Sequence, residues 1–204
     1  FSSYVRTGYN GSVTAIGTDV QVAQSMTVAI GVARALAQNS IAIATHSGYP
    51  AITQSDGSLA VGNWAIVYTG SDGAQAIGRQ AQVDANSKGS LAIGAASEVN
   101  GANSIAIGGA GAWNDRTNAA VTKGANSVSI GSAAHVNAQN AVAMGYNANV
   151  ADGAEGGIAI GQSANSRAAN AIAIGNDIAA TAGVSGGEKS ILLGYQAGTV
   201  IASS

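Results

Sequence analysis

Apolar residues in this chain come in pairs around a small residue and stop at a glycine. The pattern apolar–small–apolar–Gly returns twelve times. Clear copies are Val28-Ala29-Ile30-Gly31, Leu59-Ala60-Val61-Gly62, Leu91-Ala92-Ile93-Gly94, Ile105-Ala106-Ile107-Gly108, Val128-Ser129-Ile130-Gly131, Val142-Ala143-Met144-Gly145, Ile158-Ala159-Ile160-Gly161 and Ile172-Ala173-Ile174-Gly175. Four copies are degenerate: Thr14 and Gln75 replace the first apolar residue, Ala44 the glycine and Leu192 the small residue. The closing positions step by 14, 13, 18, 16, 16, 14, 23, 14, 16, 14 and 19 residues, a period of 14 with insertions. Apolar residues at i and i+2 predict a strand, with both large side chains on one face and the small one on the other. The glycine ends it, where positive φ costs little. A fainter alternation follows. The fifth residue after the closing position is usually apolar (Val22, Leu36, Val83, Val99, Val136, Val150) and the fourth usually polar (Gln21, Gln82, Glu98, His135, Asn149, Asn165). This predicts a second short strand with one buried and one wet face.

Asn or Gly stands five residues before nine of the twelve closing positions: Asn39, Gly57, Gly73, Gly89, Asn103, Asn126, Asn140, Gly156 and Asn170. Both accept left-handed backbone, so a tight turn is expected at each. A repeat then holds two short strands and two turns, which is one coil of a parallel β-solenoid flattened into a roll. Coils stack about 4.8 Å apart, so twelve give a rod of about 55 Å. No helix is needed, and without sustained heptads no coiled coil is expected.

With the large residues taken as the buried pair, the small residue between them faces outward. It is Ala or Ser in eleven copies. A solvent face would carry long polar side chains, whereas an alanine stripe suits close approach of another chain. Ala29, Ala42, Ala60, Ala92, Ala106, Ala143, Ala159 and Ala173 are therefore expected at an interface between copies, and a thin core favours such assembly.

Composition narrows the function classes. Of 204 residues 44 are Ala and 29 Gly, while only 9% are charged and 4% aromatic. A large aromatic core and a disordered polyampholyte are both excluded. One proline and no Gly-X-Y period exclude collagen. The net charge is −2 and the eight basic residues form no stripe, so nucleic acid is not an expected partner. No apolar run reaches the roughly 20 residues of a membrane helix, so direct membrane insertion is not expected. Cysteine is absent, and thiolate and disulfide chemistry with it. The sequence opens at Phe1 without a signal-peptide pattern and reads as a processed product or fragment.

The repeats resemble the head domain of trimeric autotransporter adhesins, the YadA-like heads, whose motif is Asn-Ser-Val-Ala-Ile-Gly. It appears as Asn39-Ser40-Ile41-Ala42-Ile43-Ala44, Asn103-Ser104-Ile105-Ala106-Ile107-Gly108, Asn126-Ser127-Val128-Ser129-Ile130-Gly131 and Asn170-Ala171-Ile172-Ala173-Ile174-Gly175. The similarity runs over about 10–198 of a single head domain, 1–204. It implies an all-β, left-handed parallel β-roll assembled as a homotrimer and displayed on a bacterial cell surface. It also implies binding of extracellular matrix protein, surface glycan or abiotic surfaces by multivalent contact. No neck, stalk or anchor barrel is recognisable, so anchoring to the outer membrane is expected through parts not in this chain. The Ile191-Leu192-Leu193-Gly194-Tyr195-Gln196-Ala197-Gly198 ending also resembles coils of trimeric phage fibres. A phage fibre segment and a structural spacer stay open as alternatives.

Candidate chemistry adds little. The ten acids are scattered, and the closest pair, Asp152 and Glu155, shares one loop. No nucleophile elbow or phosphate loop stands out. Gly108-Gly109-Ala110-Gly111-Ala112-Trp113 departs from a calcium repeat because Trp113 stands at the ligand position. Thr is too sparse for an ice-binding ladder. Neither enzyme activity nor a cofactor or metal is expected. Loop insertions at about 45–58, 109–124 and 176–189 remain as places for function. Trp113 and Arg116 in the second, and His46 and Tyr49 in the first, are the expected ligand contacts, since exposed aromatics and Arg anchor interfaces. Trp64 and Tyr68 follow in the next coil.

Overall fold

The computed structural model describes residues 3–5, 11–46, 48–110, 116–180 and 190–195. Every described element is a strand of two to five residues, and the chain is an all-β parallel solenoid of about ten turns. Strands alternate between two parallel sheets of twelve strands each. One sheet holds the apolar–small–apolar strands, from Val13–Ile16 to Ile191–Leu193. The other holds the strands of the fainter alternation, from Ser3–Val5 to Ala179–Ala180. We call them the alanine sheet and the valine sheet. Strand follows strand in unbroken register, Ala76 beside Ala60 and Ala92, and Val83 beside Val67 and Val99.

The orientation of the alanine sheet is the reverse of the sequence expectation. Ala29, Ala42, Ala60, Ala92, Ala106, Ala143, Ala159 and Ala173 are all 0% exposed and line the interior. They cannot form an interface between copies. The large residues point outward instead, as two continuous rows. One runs through Leu91, Ile105, Val128, Val142 and Ile158, and the other through Ile93, Ile107, Ile130, Met144 and Ile160. The reason is the width of the roll. The valine sheet already sends Val22, Val67, Val83, Val99, Val136 and Val150 inward, each at most 1% exposed. A coil of two short strands has no room for a second layer of branched side chains, so only a methyl fits opposite each valine.

In one coil a Thr and a Ser replace the valine and the alanine together. Thr122 takes the valine place and Ser129 the alanine place, and their hydroxyls lie 2.6 Å apart across the interior. Thr122 also donates to the Ile105 carbonyl at 2.8 Å. The two substitutions satisfy each other inside a dry core.

Turns behave as the sequence predicts at the Asn and Gly positions. Asn39, Asn103, Asn126, Asn140 and Asn170 have φ between 53° and 56°, and Gly57, Gly73, Gly89 and Gly156 between 63° and 71°. The Ser that follows Asn is buried and builds a corner ladder. Ser104 N–H donates to Ser90 Oγ, Ser127 N–H to Ser104 Oγ and Ala141 N–H to Ser127 Oγ, each at 3.1 Å. The hydroxyls donate onward to carbonyls of the next coil, Ser104 to Gly124 at 2.9 Å and Ser127 to Ala138 at 3.0 Å. Closing glycines are required by contact as well as by conformation. A Cβ on Gly131 (φ 129°) would lie 2.5 Å from the Gly145 carbonyl oxygen.

Two register details differ from the sequence reading. The coil closing at Ala44 is one residue short before its second strand. Ala35, not Leu36, therefore aligns with Val22, and Leu36 is only half-buried. The stretch 45–58 is not one loop either. It contains the paired strand Ala51–Thr53, so the extra residues sit in the turn before it.

Candidate binding surfaces

The outer face of the valine sheet carries most of the polar chemistry. Gln82, Glu98, Val121, His135, Asn149 and Asn165 form one outward row in successive coils. Tyr68, Asp84, Asn100 and Lys123 form the next, one residue past the inward valines. Their amides bond the neighbouring coil, as Tyr68 N–H does with Val83 O at 3.0 Å and Asp84 N–H with Val99 O at 2.8 Å. Along the first row Asn149 donates to Asn165 Oδ1 at 3.1 Å.

Arg116 joins these rows. Its guanidinium pairs with Glu98 Oε2 at 2.5 Å and donates to Gln82 Oε1 at 2.8 Å. Gln82 Nε2 donates to Asp84, and Asn100 Nδ2 donates both to Asp84 and, at 3.2 Å, to Glu98 Oε1. Arg116 is thus engaged with two preceding coils and holds the end of its loop against the sheet. Beside this network an open groove of about 440 Å³ is lined by Tyr68, Gln82, Asp84, Ala85 and Asn100. Sequence reading missed all of these except Arg116 and Tyr68. A signal existed: Tyr68, Asp84 and Asn100 follow at intervals of 16, as do Gln82 and Glu98.

His46 and Tyr49 lie in the extended turn after Ala44, and the structure brings Trp64 to them. The His46 and Tyr49 ring centroids are 5.3 Å apart, and those of Tyr49 and Trp64 5.4 Å. Trp64 N–H donates to the Tyr49 carbonyl at 3.0 Å, and Asn63 Oδ1 accepts from the backbone of Thr45 and His46. Trp64 is 38% exposed and has φ 61°. These rings form a tilted aromatic corner at the edge of the valine sheet. Trp113 lies outside the described residues, as does most of the 176–189 insertion.

His135 stands in the outward row between Val121 and Asn149. Burial pushes its imidazole below the usual histidine range. A backbone hydrogen bond at Ala119 works against this, and Lys123 adds to it. Its Nε2 is buried without a partner. Among the described residues no group of three or more His, Asp or Glu is placed to hold a metal ion. No helix there is long and apolar enough to cross a membrane.

Comparison with known families agrees with this geometry. Residues 85–110, 123–148 and 153–177 match the model of the YadA head domain repeat. No curated protein matches the chain. The matched segments hold part of these coils, among them Ala92, Ala106, Ala143, Ala159 and Ala173 and the Asn-Ser turns at Asn103 and Asn126. They support a YadA-like head domain over this part of the chain.

Proposed function

We propose that this chain, carrying a YadA-like head domain, is the adhesive head of a bacterial surface fibre and works as a homotrimer of left-handed rolls of twelve coils. The observation that carries the reading is the outer face of the alanine sheet. Two rows, aliphatic but for Thr14, Gln75 and Met144, cross it from end to end, half-buried along most of their length, with Ile16 at 59%, Ile191 at 61% and Leu193 at 64%. Contiguous apolar surface on this scale marks an association face. Three such faces turned toward one axis cover the rows and leave the polar valine sheets outward. The alanine stripe serves this indirectly, by keeping the roll thin.

Adhesion then belongs to the outward face and its corners. His46 and Tyr49, joined by Trp64, supply an aromatic contact, and Arg116 with Trp113 marks the longest insertion. The targets are an extracellular matrix protein or a surface glycan, held by shallow contacts repeated three-fold so that avidity replaces depth. The fold and the family are non-enzymatic in general, and the reading assigns no catalytic step. Anchoring to the outer membrane falls to segments outside this chain.

Sedimentation equilibrium over a dilution series tests the assembly. The expected mass is near three times 19.7 kDa. Replacing Ile93 and Ile107 together by Asp should give a folded monomer with unchanged far-UV circular dichroism. A wild-type chain that stays monomeric at every concentration overturns the trimer. Attachment of the trimer to immobilised matrix proteins and glycans, against uncoated surface, tests adhesion itself.

A further inference from the structure

The groove between Tyr68 and the Asp84–Asn100 pair has an unused chemical bias. Both amide hydrogens of Asn100 and one of Gln82 already point at carboxylates, and Gln82 Oε1 is taken by Arg116. What the wall still offers is mainly acceptor capacity, on the Asp84 carboxylate and the Asn100 carbonyl oxygen. Two carboxylates, Asp84 and Glu98, against one guanidinium, Arg116, leave one net negative charge. Lys123 follows Asn100 in the row but does not line the groove. Half-buried Tyr68 supplies an aromatic wall.

We infer that this groove receives the cationic end of an arginine or lysine side chain from a protein partner. An occupant has to donate hydrogen bonds, carry positive charge and lie against an aromatic ring, and a guanidinium or ammonium on a flexible stem does all three. A neutral sugar brings no charge to meet the uncompensated carboxylate, and three of the four side-chain amide hydrogens here are already bonded. The groove is open, so it fits one side chain of an extended segment and not an enclosed small molecule. It stands on strands locked to their neighbours in register, which keeps the acceptors in place before binding. The face is opposite the aliphatic rows and stays free in the trimer. In this respect the inference deepens the adhesive reading and names the chemistry of its partner.

The test titrates the isotope-labelled chain with a short Gly-Ser peptide carrying one central Arg, and with the same peptide carrying neutral citrulline. The Arg peptide should shift the amide resonances of Tyr68, Gln82, Asp84 and Asn100 saturably, and raised salt should weaken it. Asp84→Asn, which keeps the shape of the wall, should weaken binding at least tenfold at an unchanged melting temperature. Tyr68→Leu is the second variant and should weaken it several-fold. Equal shifts from the citrulline peptide, no saturable shift, or shifts from a neutral hexose oligomer alone would overturn the inference. Surface attachment separates the two readings. If both variants attach as wild type does, the groove is not the contact and adhesion stands. If the Arg peptide binds but the chain attaches to no surface, the groove stands and the adhesive reading falls.

Discussion

Left-handed backbone is used at two places in each coil, and the side chains there set local stability. At the Asn and Gly turns the residue type suits the conformation. Met26 occupies the same place, five residues before Gly31, with φ 55° and 59% of its surface exposed. It pays the αL cost for a side chain that buries little. Met26→Asn should raise stability by about 0.5–1 kcal/mol in a denaturant unfolding curve. Gly131→Ala should move it the other way, by at least about 2 kcal/mol, since the methyl meets the Gly145 carbonyl in a backbone region closed to other residues. The second left-handed position, two residues after the closing glycine, holds Asp19, Trp64, Gln80, Ala96, Ala133, Asn147, Ser163 and Asp177 with φ of 51–62°. Asp, Asn and Ser alternate there with Ala, Gln and Trp, and that mixture is why the sequence pattern left it unseen.

Within the strand pairs, the periodicity read from sequence gives the elements and their parallel stacking but not which face is inside. Alternation fixes only that Ala and Ile point to opposite sides. The width available opposite the valines decides the rest, and that width belongs to the folded coil. The polar groove was hidden for a related reason. Tyr68, Asp84 and Asn100 are unremarkable singly and meet only when the 16-residue steps are laid one above another. His46 and Tyr49, by contrast, were visible as a Pro-containing insertion rich in rings, and the fold adds Trp64 to them. The Thr122–Ser129 pair offers a direct check on the interior. Thr122→Val alone strands the Ser129 hydroxyl and should cost about 1–3 kcal/mol. Thr122→Val with Ser129→Ala rebuilds the valine–alanine layer of the other coils and should recover most of that loss in a double-mutant cycle. His135 supplies a pH check. Its folded-state pKa is depressed, so its neutral form is favoured in the roll. The unfolded chain takes up the proton first as pH falls below about 6.5, and stability declines from there toward the lower folded pKa. The melting temperature should therefore be lower at pH 5.5 than at pH 7.5. His135→Asn, which continues the Asn149–Asn165 ladder, should reduce that difference.

Across the whole molecule the two outer faces differ, one carrying the aliphatic rows and the other the polar rows. The bonds that join coil to coil have a direction in common. In both sheets they lie along the stack, as from Gly131 N–H to Ile107 O in the alanine sheet and from Tyr68 N–H to Val83 O in the valine sheet. A pull along the stack therefore loads them end-on, one layer after another, and not side by side in shear. Layers part singly under such tension, beginning where a join is shortest. In the valine sheet most joins are only two residues wide. A tether built this way yields in small steps of one coil each. It lengthens by paying out chain while the remaining layers hold, and so absorbs a sudden jerk that would snap a single rigid join.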